Sequence, residues 1–345
     1  MNRIRVLVVD DSPLVRDIII AILSTDPEIE IAGQAVDGRD AINKVKVLKP
    51  DIVTMDIEMP VMDGLSAIEN IMAHSAVPIL VVTSKGDAKM AYAAISKGAL
   101  DLVMKPEVNI AASHEFISKV KLLSRIKVIT HLKGKLPIRD RTAPTSPQMG
   151  KAGANGRIVA IAASTGGPDA VSVILSGLPG DLPCPVVIAQ HISEGFVTGM
   201  VEWLRTISKL DIRVASDKEA LCPGTVYVSP PEKHLEIETA GKICLIDRNP
   251  KDIYRPSCDV LLSSAAAAYG KKSIGVILTG MGSDGVAGIR KIKEAGGKTI
   301  AQDERTSVVF GMPKLAIESG AIDKVLPIGE ISGEIVKMLG GYFPA

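Results

Sequence analysis

Short apolar runs, rich in β-branched residues and uninterrupted by charge, recur along the chain. In the first third they fall at Val6–Val9, Ile29–Gln34, Ile52–Met55, Ile79–Thr83 and Leu102–Met104. Continuous apolar runs of this length read as strands covered on both faces of a parallel sheet. Between them, helical spacing of apolar positions covers Pro13–Leu23, Ala41–Lys49, Leu65–Met72, Ala88–Lys97 and His114–Ile126. Five strand–helix units in so short a segment predict a small doubly wound α/β domain over residues 1–124.

The pattern then fails. The stretch LPIRDRTAPTSPQMGKAGANG mixes Pro, Ser, Thr, Gly and basic residues without apolar periodicity and reads as a flexible tether over 125–156. About 25 coil residues span roughly 25–30 Å, about a domain diameter. From Arg157 the strand–helix alternation resumes and is expected to continue to the end, which predicts a second, larger doubly wound α/β domain over 157–345 with a mainly parallel sheet. Three of its strands stand out: RIVAIAAS, PVVIAQH and SIGVILTGMGSDG. Each leads from an apolar run into a loop that carries one chemically capable residue, respectively Ser164, His191 and Asp284.

Composition narrows the class. A chain of 345 residues favours two domains. Aromatic residues are only 3%, which argues against a base-stacking surface, so no nucleic-acid partner is expected. The charge is uneven. Residues 1–124 carry 13 basic and 17 acidic side chains, and residues 125–157 carry 8 and 1. The positive charge therefore sits on the tether, not on a compact recognition domain. Cys184, Cys222, Cys244 and Cys258 form no CxxC pair and are expected to be free thiols in a reducing compartment. The apolar run after Met1 turns acidic at once, and no run approaches the ~20 residues of a membrane span. A cytoplasmic protein without membrane insertion is the expectation.

In a doubly wound sheet, ligands gather at the carboxyl ends of the strands. Asp10 and Asp11 follow the first strand, Asp56 the third and Lys105 the fifth, while Thr83 ends the fourth. Adjacent carboxylates repel, and a divalent cation such as Mg²⁺ relieves that repulsion. A carboxylate there can attack a phosphoryl group to give an acyl phosphate, with Lys105 and the Thr83 hydroxyl contacting the phosphate. The segments VLVVDDS, VTMDIEMPVMDG, VVTS and VMKP resemble the receiver domain of bacterial response regulators, with its flavodoxin-like (CheY-like) fold. The resemblance implies phosphorylation of Asp56 by a partner histidine kinase. It also implies Mg²⁺ held by Asp11, Asp56 and the backbone carbonyl of Glu58, with Asp10 in support. One departure is Leu102, three before Lys105, where that family often carries an aromatic ring.

Ser164 lies in AASTGGP, among small residues that let a substrate approach the backbone closely. The turn resembles a nucleophile elbow, although it reads Ala-x-Ser-x-Gly, not Gly-x-Ser-x-Gly; a phosphate-binding glycine loop is the alternative. Of five histidines, only His191 ends a strand on the favoured edge. Asp284, in TGMGSDG, reads either as the N-cap of the helix VAGIRKIKEAG or as the carboxylate that orients His191. Oxyanion donors are expected at the amides near Met281 and at Thr165. Tyr254-Arg255-Pro256-Ser257 and Gln302-Asp303 are expected near the cleft.

The segments IAASTGGP, QHI, YRPSCDVLL, ILTGMGSDG and AQDERTSVVFGMPKLAI resemble the catalytic domain of the chemotaxis methylesterase (CheB) family. The resemblance implies a protein-glutamate methylesterase that hydrolyses glutamyl methyl esters on methyl-accepting chemoreceptors and also deamidates glutamines. It maps the nucleophile, base and orienting acid onto Ser164, His191 and Asp284 and needs no metal for the ester chemistry. A receiver on a tether implies regulation, with the unphosphorylated receiver expected to cover the strand-end edge carrying Ser164. A DNA-binding regulator, a nucleotide-binding enzyme and a non-catalytic adaptor are the competing readings.

Overall fold

The computed structural model describes residues 3–84, 88–106, 110–126, 128, 156–249 and 252–340, with side chains from 90 and from 113 in the segments that open at 88 and 110. Of the tether predicted over 125–156, all but residues 125, 126, 128 and 156 lies outside the described residues. The chain divides into two compact units, Met1–Pro137 and Ile138–Ala345.

The first unit runs β1 (Ile4–Val9), α1 (Pro13–Leu23), β2 (Ile29–Ala35), α2 (Gly38–Leu48), β3 (Ile52–Met55), α3 (Gly64–His74), β4 (Ile79–Thr83), α4 (Ala88–Ser96), β5 (Asp101–Met104) and α5 (Ile110–Leu123). All pairings are parallel, in the order β2-β1-β3-β4-β5. β3 and β4 are buried at every residue, as their unbroken apolar sequences require. Helix starts depend on capping side chains. Ser12 accepts from the Val15 amide with Pro13 next in line, and Asp37 accepts from the Asp40 amide, which begins α2 at Gly38, three residues before the apolar pattern does.

The second unit contains β6 (Ile158–Ala163), α6 (Gly167–Gly177), β7 (Val186–Gln190), α7 (Val197–Ile207), β8 (Asp211–Val214), β9 (Thr225–Val228), β10 (Lys233–Ile237), β11 (Ile243–Asp247), α8 (Cys258–Tyr269), β12 (Ser273–Ile277), α9 (Val286–Glu294), β13 (Lys298–Gln302), α10 (Met312–Glu318), β14 (Lys324–Leu326) and α11 (Ile328–Met338). Seven strands form a parallel sheet ordered β14-β13-β12-β6-β7-β9-β8. The expected alternation breaks between α7 and α8: β8 and β9 follow one another in the main sheet with no helix between them, and β10 and β11 form a separate antiparallel ribbon. Gly241, at φ +70°, serves the turn between them. Leu235, Ile237 and Ile243 of this ribbon join Leu261 and Leu262 of α8 in one core.

Both sheets reverse their strand order next to their first strand. In the first unit β1 lies between β2 and β3, and in the second β6 lies between β7 and β12. Loops that leave the two flanking strands in opposite directions open a crevice at the carboxyl ends, the site where such sheets bind ligands.

Candidate active site

β6, β7 and β12 are adjacent and in register, with Ala163 opposite Gln190 and Ile277 opposite Ala162. The residues that follow these strands therefore meet. His191 places Nδ1 3.0 Å from Ser164 Oγ and Nε2 2.8 Å from Asp284 Oδ2. With Asp284 ionised, Nε2 carries the ring proton and donates it, which leaves the Nδ1 lone pair to accept from the serine hydroxyl. This is a hydroxyl beside a base beside an orienting carboxylate, able to make the serine oxygen nucleophilic. Ser164 and Asp284 are buried, and the His191 side chain keeps 14% of its surface exposed.

The loops are built around close approaches. A Cβ on Gly280 would lie 2.6 Å from Ser164 Cβ and 2.3 Å from Met312 Sδ, so only glycine fits there. The Ser164 amide donates to the Thr279 carbonyl at 3.0 Å, and the Thr279 amide donates to Gln302 Oε1 at 2.8 Å. Gln302 thus lies behind the site, as the sequence suggested, and it pins the 279–282 turn. Neither the Thr165 amide nor the Met281 amide has a hydrogen-bond partner among the described residues. Thr165 is buried, whereas the Met281 side chain is half exposed at the mouth.

Asp284 does not cap α9, whose N-cap is Gly285 at φ +96°. Its carboxylate instead binds the start of α8. Oδ1 accepts from Ser257 Oγ (3.0 Å) and the Asp259 amide (2.9 Å), and Oδ2 accepts from the Cys258 amide (2.6 Å) and His191. Burial pushes its pKa up, but the hydrogen bond and charge of His191, with the Asp259 and Cys258 amides, outweigh that and hold it below the usual aspartate value. Tyr254 stacks on the imidazole, with ring centroids 5.0 Å apart and planes at 16°.

His191, Cys258 and Asp284 lie close enough to hold a metal ion. Cys258 is a poor ligand, however. Burial first, then the charges of Asp284 and Asp259, push its thiol well above the ordinary cysteine value, and the Sγ sits 3.4 Å from the Ala189 carbonyl. Sequence reasoning missed several supports: Ser257 and Cys258 beneath Asp284, Tyr254 on the imidazole face, and Gln190. The first three sit in the YRPSC segment expected near the cleft, but nothing in the spacing specified their contacts.

The first unit holds a second constellation at its own crevice. Oxygens of Asp10, Asp11 and Asp56 all lie within 4.8 Å of one another. Lys105 Nζ is 2.9 Å from both Asp10 Oδ2 and Asp56 Oδ2, and the Ile57 amide donates to Asp56 Oδ1 at 2.8 Å. Asp56 is pushed up to about 6 by burial and the charge of Asp10, against the pull of Lys105 and the Ile57 amide. Thr83 is buried at the end of β4, and a cavity of about 380 Å³ opens beside Asp11, Ile57 and Glu58.

One unit thus carries an acidic pocket of the receiver type and the other a serine-based hydrolytic site, which defines a two-part regulated hydrolase. Residues 6–115 match the profile of the response regulator receiver domain, and residues 159–335 match that of the CheB methylesterase domain. A protein-glutamate methylesterase/protein-glutamine glutaminase of Paramagnetospirillum magneticum is 46% identical across 98% of this chain and 97% of its own. One of the same description from Geobacillus kaustophilus is 40% identical across 99% of this chain and all of its own. The crystal structure of the Thermotoga maritima CheB methylesterase catalytic domain is 41% identical, covers 53% of this chain and 99% of its own, and superposes with a TM-score of 0.52. The chain belongs to the CheB methylesterase family, with an N-terminal receiver domain.

Proposed function

We propose that this protein hydrolyses glutamyl methyl esters, and deamidates glutamines, on chemoreceptors by a Ser164–His191–Asp284 triad under control of a phosphorylated receiver. The observation that carries the reading is the continuous hydrogen-bond line from Ser164 Oγ through His191 to Asp284. His191 Nδ1 takes the serine proton as Oγ attacks the ester carbonyl carbon. Asp284 stabilises the imidazolium, and the Thr165 and Met281 amides serve the oxyanion. Collapse of the tetrahedral species breaks the bond to the methoxy oxygen, which leaves as methanol with the His191 proton. Water, deprotonated by the same ring, then releases the glutamate carboxylate and restores Ser164. For a glutamine substrate the leaving group is ammonia.

In the receiver, which we assign to 1–124, Asp56 is the phosphoryl acceptor and Thr83 and Lys105 are the groups that sense the phosphate. Asp10, Asp11 and Asp56, with the Glu58 carbonyl, form a donor set suited to Mg²⁺. Three close carboxylates, two of them buried, are hard oxygen ligands whose mutual repulsion a divalent cation would relieve. Mg²⁺, when bound, neutralises charge on the incoming phosphoryl oxygens. A histidine kinase is the phosphodonor and the compartment is the cytoplasm. No helix among the described residues is long and apolar enough to cross a membrane. The catalytic domain is assigned to 157–345 and the tether to 125–156.

The test is methanol release from methylated receptor membranes, with and without a small acyl-phosphate donor. Ser164→Ala is expected to abolish release, and Asp56→Asn to abolish the response to the donor. Full activity after Ser164→Ala removes the hydrolase assignment. An Arg157–Ala345 fragment no faster than the full chain, with no effect of a phosphate analogue, removes control by a covering receiver.

A further inference from the structure

Gln190, the last residue of β7, is 2% exposed and makes an arrangement that folding alone does not call for. Its Nε2 donates to the Ser164 carbonyl at 2.8 Å and to the His191 carbonyl at 2.8 Å. One amide nitrogen therefore joins the backbones of two neighbouring strands at the point where each leaves the sheet. Its Oε1 is buried and accepts no hydrogen bond among the described residues. Turning the amide over would set that oxygen against two carbonyls, so the orientation is fixed. Room for the Oε1 exists because residue 167 is glycine: a Cβ there would lie 2.0 Å from it. An unpaired buried acceptor is unfavourable, and Gly167 in the first turn of α6 adds its own backbone entropy.

We infer that Gln190 is a positioning residue for the esterase reaction, holding Ser164 and His191 at mutual hydrogen-bonding distance. The ladder pairs residues up to Ala163 and Gln190, and the backbone link from the His191 amide to the Ala163 carbonyl (3.0 Å) does not reach Ser164. Among the described residues, only the Gln190 amide ties the Ser164 and His191 carbonyls to each other. Without that clasp each loop can shift separately, and a shift of about 1 Å at the reacting atoms costs on the order of 100-fold in rate. Gln190 is buried against backbone carbonyls and not open to a ligand, so the loss belongs to the chemical step.

This inference rests on the Ser164–His191–Asp284 reading, and the experiment separates the two. Full-length Gln190→Met, which keeps the volume and deletes both the donors and the unpaired oxygen, is compared with the parent and with Ser164→Ala by methanol release and thermal unfolding. The expected result is a kcat lowered roughly 10- to 100-fold with KM within about threefold. The midpoint is expected to move little, since losing two hydrogen bonds and removing one unpaired oxygen act in opposite directions. A Gln190→Met protein whose kcat stays within about twofold, whose loss lies in KM, or which is unfolded overturns the inference. Activity that survives Ser164→Ala instead overturns the underlying reading.

Discussion

Asp284 and Asp259 each bind the N-terminus of the helix that the other introduces. Asp284, just before α9, accepts from the Cys258 and Asp259 amides at the start of α8. Asp259, in the first turn of α8, accepts from the Gly285 and Gly288 amides at the start of α9 at 2.9 and 2.7 Å. The exchange locks two packed helices together and leaves the second face of the Asp284 carboxylate for His191. Helix N-termini favour anionic groups, so both ends of the exchange are electrostatically matched.

The two aspartates should separate under mutation. Asp284→Asn keeps the shape but weakens the ion pair with the imidazolium, and kcat is expected to fall about 10³–10⁴-fold. Asp259→Asn removes charge from a cap with no contact to His191, and is expected to cost about 1 kcal/mol of stability while kcat stays within about fivefold. Urea unfolding and methanol release on both variants check this. Equal losses of activity would mean that the helix exchange, not the carboxylate–imidazole contact, sets the rate.

Tyr254 offers the imidazole an aromatic face while its hydroxyl lies over Gly282, where a Cβ would come within 2.7 Å of it. Stacking holds the ring in its plane. Tyr254→Phe should therefore keep most of kcat, and Tyr254→Leu should lose about three- to tenfold. A Phe variant as impaired as Leu would assign the effect to the hydroxyl.

Gly280→Ala places a methyl group against Ser164 Cβ and Met312 Sδ. The Met312 side chain can give way, but Ser164 cannot without leaving His191. Methanol release is expected to fall by about 100-fold or more, while a circular-dichroism melt shows a loss of about 1–3 kcal/mol. Retained activity would mean that the 279–282 turn can move as a body.

How far the sequence disclosed this arrangement depends on the length scale of the cause. Strands such as Ile52–Met55 and Ile79–Thr83 are legible to the residue because burial on both faces leaves an unbroken apolar run. Ser164, His191 and Asp284 are legible because parallel strands must end on one edge. The β10–β11 ribbon escaped because its short alternating runs look like the strands of further βα units until their pairing is known. Asp284 showed only its proximity to α9; its binding to α8 depends on how α8 and α9 pack, which no local pattern encodes. Gln190 escaped because a glutamine at the end of an apolar strand has the same appearance whether its amide meets solvent or clasps two carbonyls.

Asp56 gives a pH dependence whose sign follows from its surroundings. Its folded pKa is about 6, above the unfolded value of 3.8, so the folded state binds the proton more tightly. In metal-free buffer the receiver therefore gains stability as the pH falls through 6, because protonation relieves the repulsion with Asp10 and the burial of charge. The gain between pH 7 and pH 5 is expected to be about 1–2 kcal/mol. Added Mg²⁺ competes with that proton, so its own stabilisation should be strongest at pH 7 and fade below 6. Amide-exchange protection of Ile4–Val9 and Ile52–Met55, corrected for intrinsic rates, reports both effects, and Asp56→Asn should erase the metal-free increment. Protection that instead falls between pH 7 and pH 5 would mean that the attraction of Lys105 outweighs burial and keeps Asp56 ionised throughout.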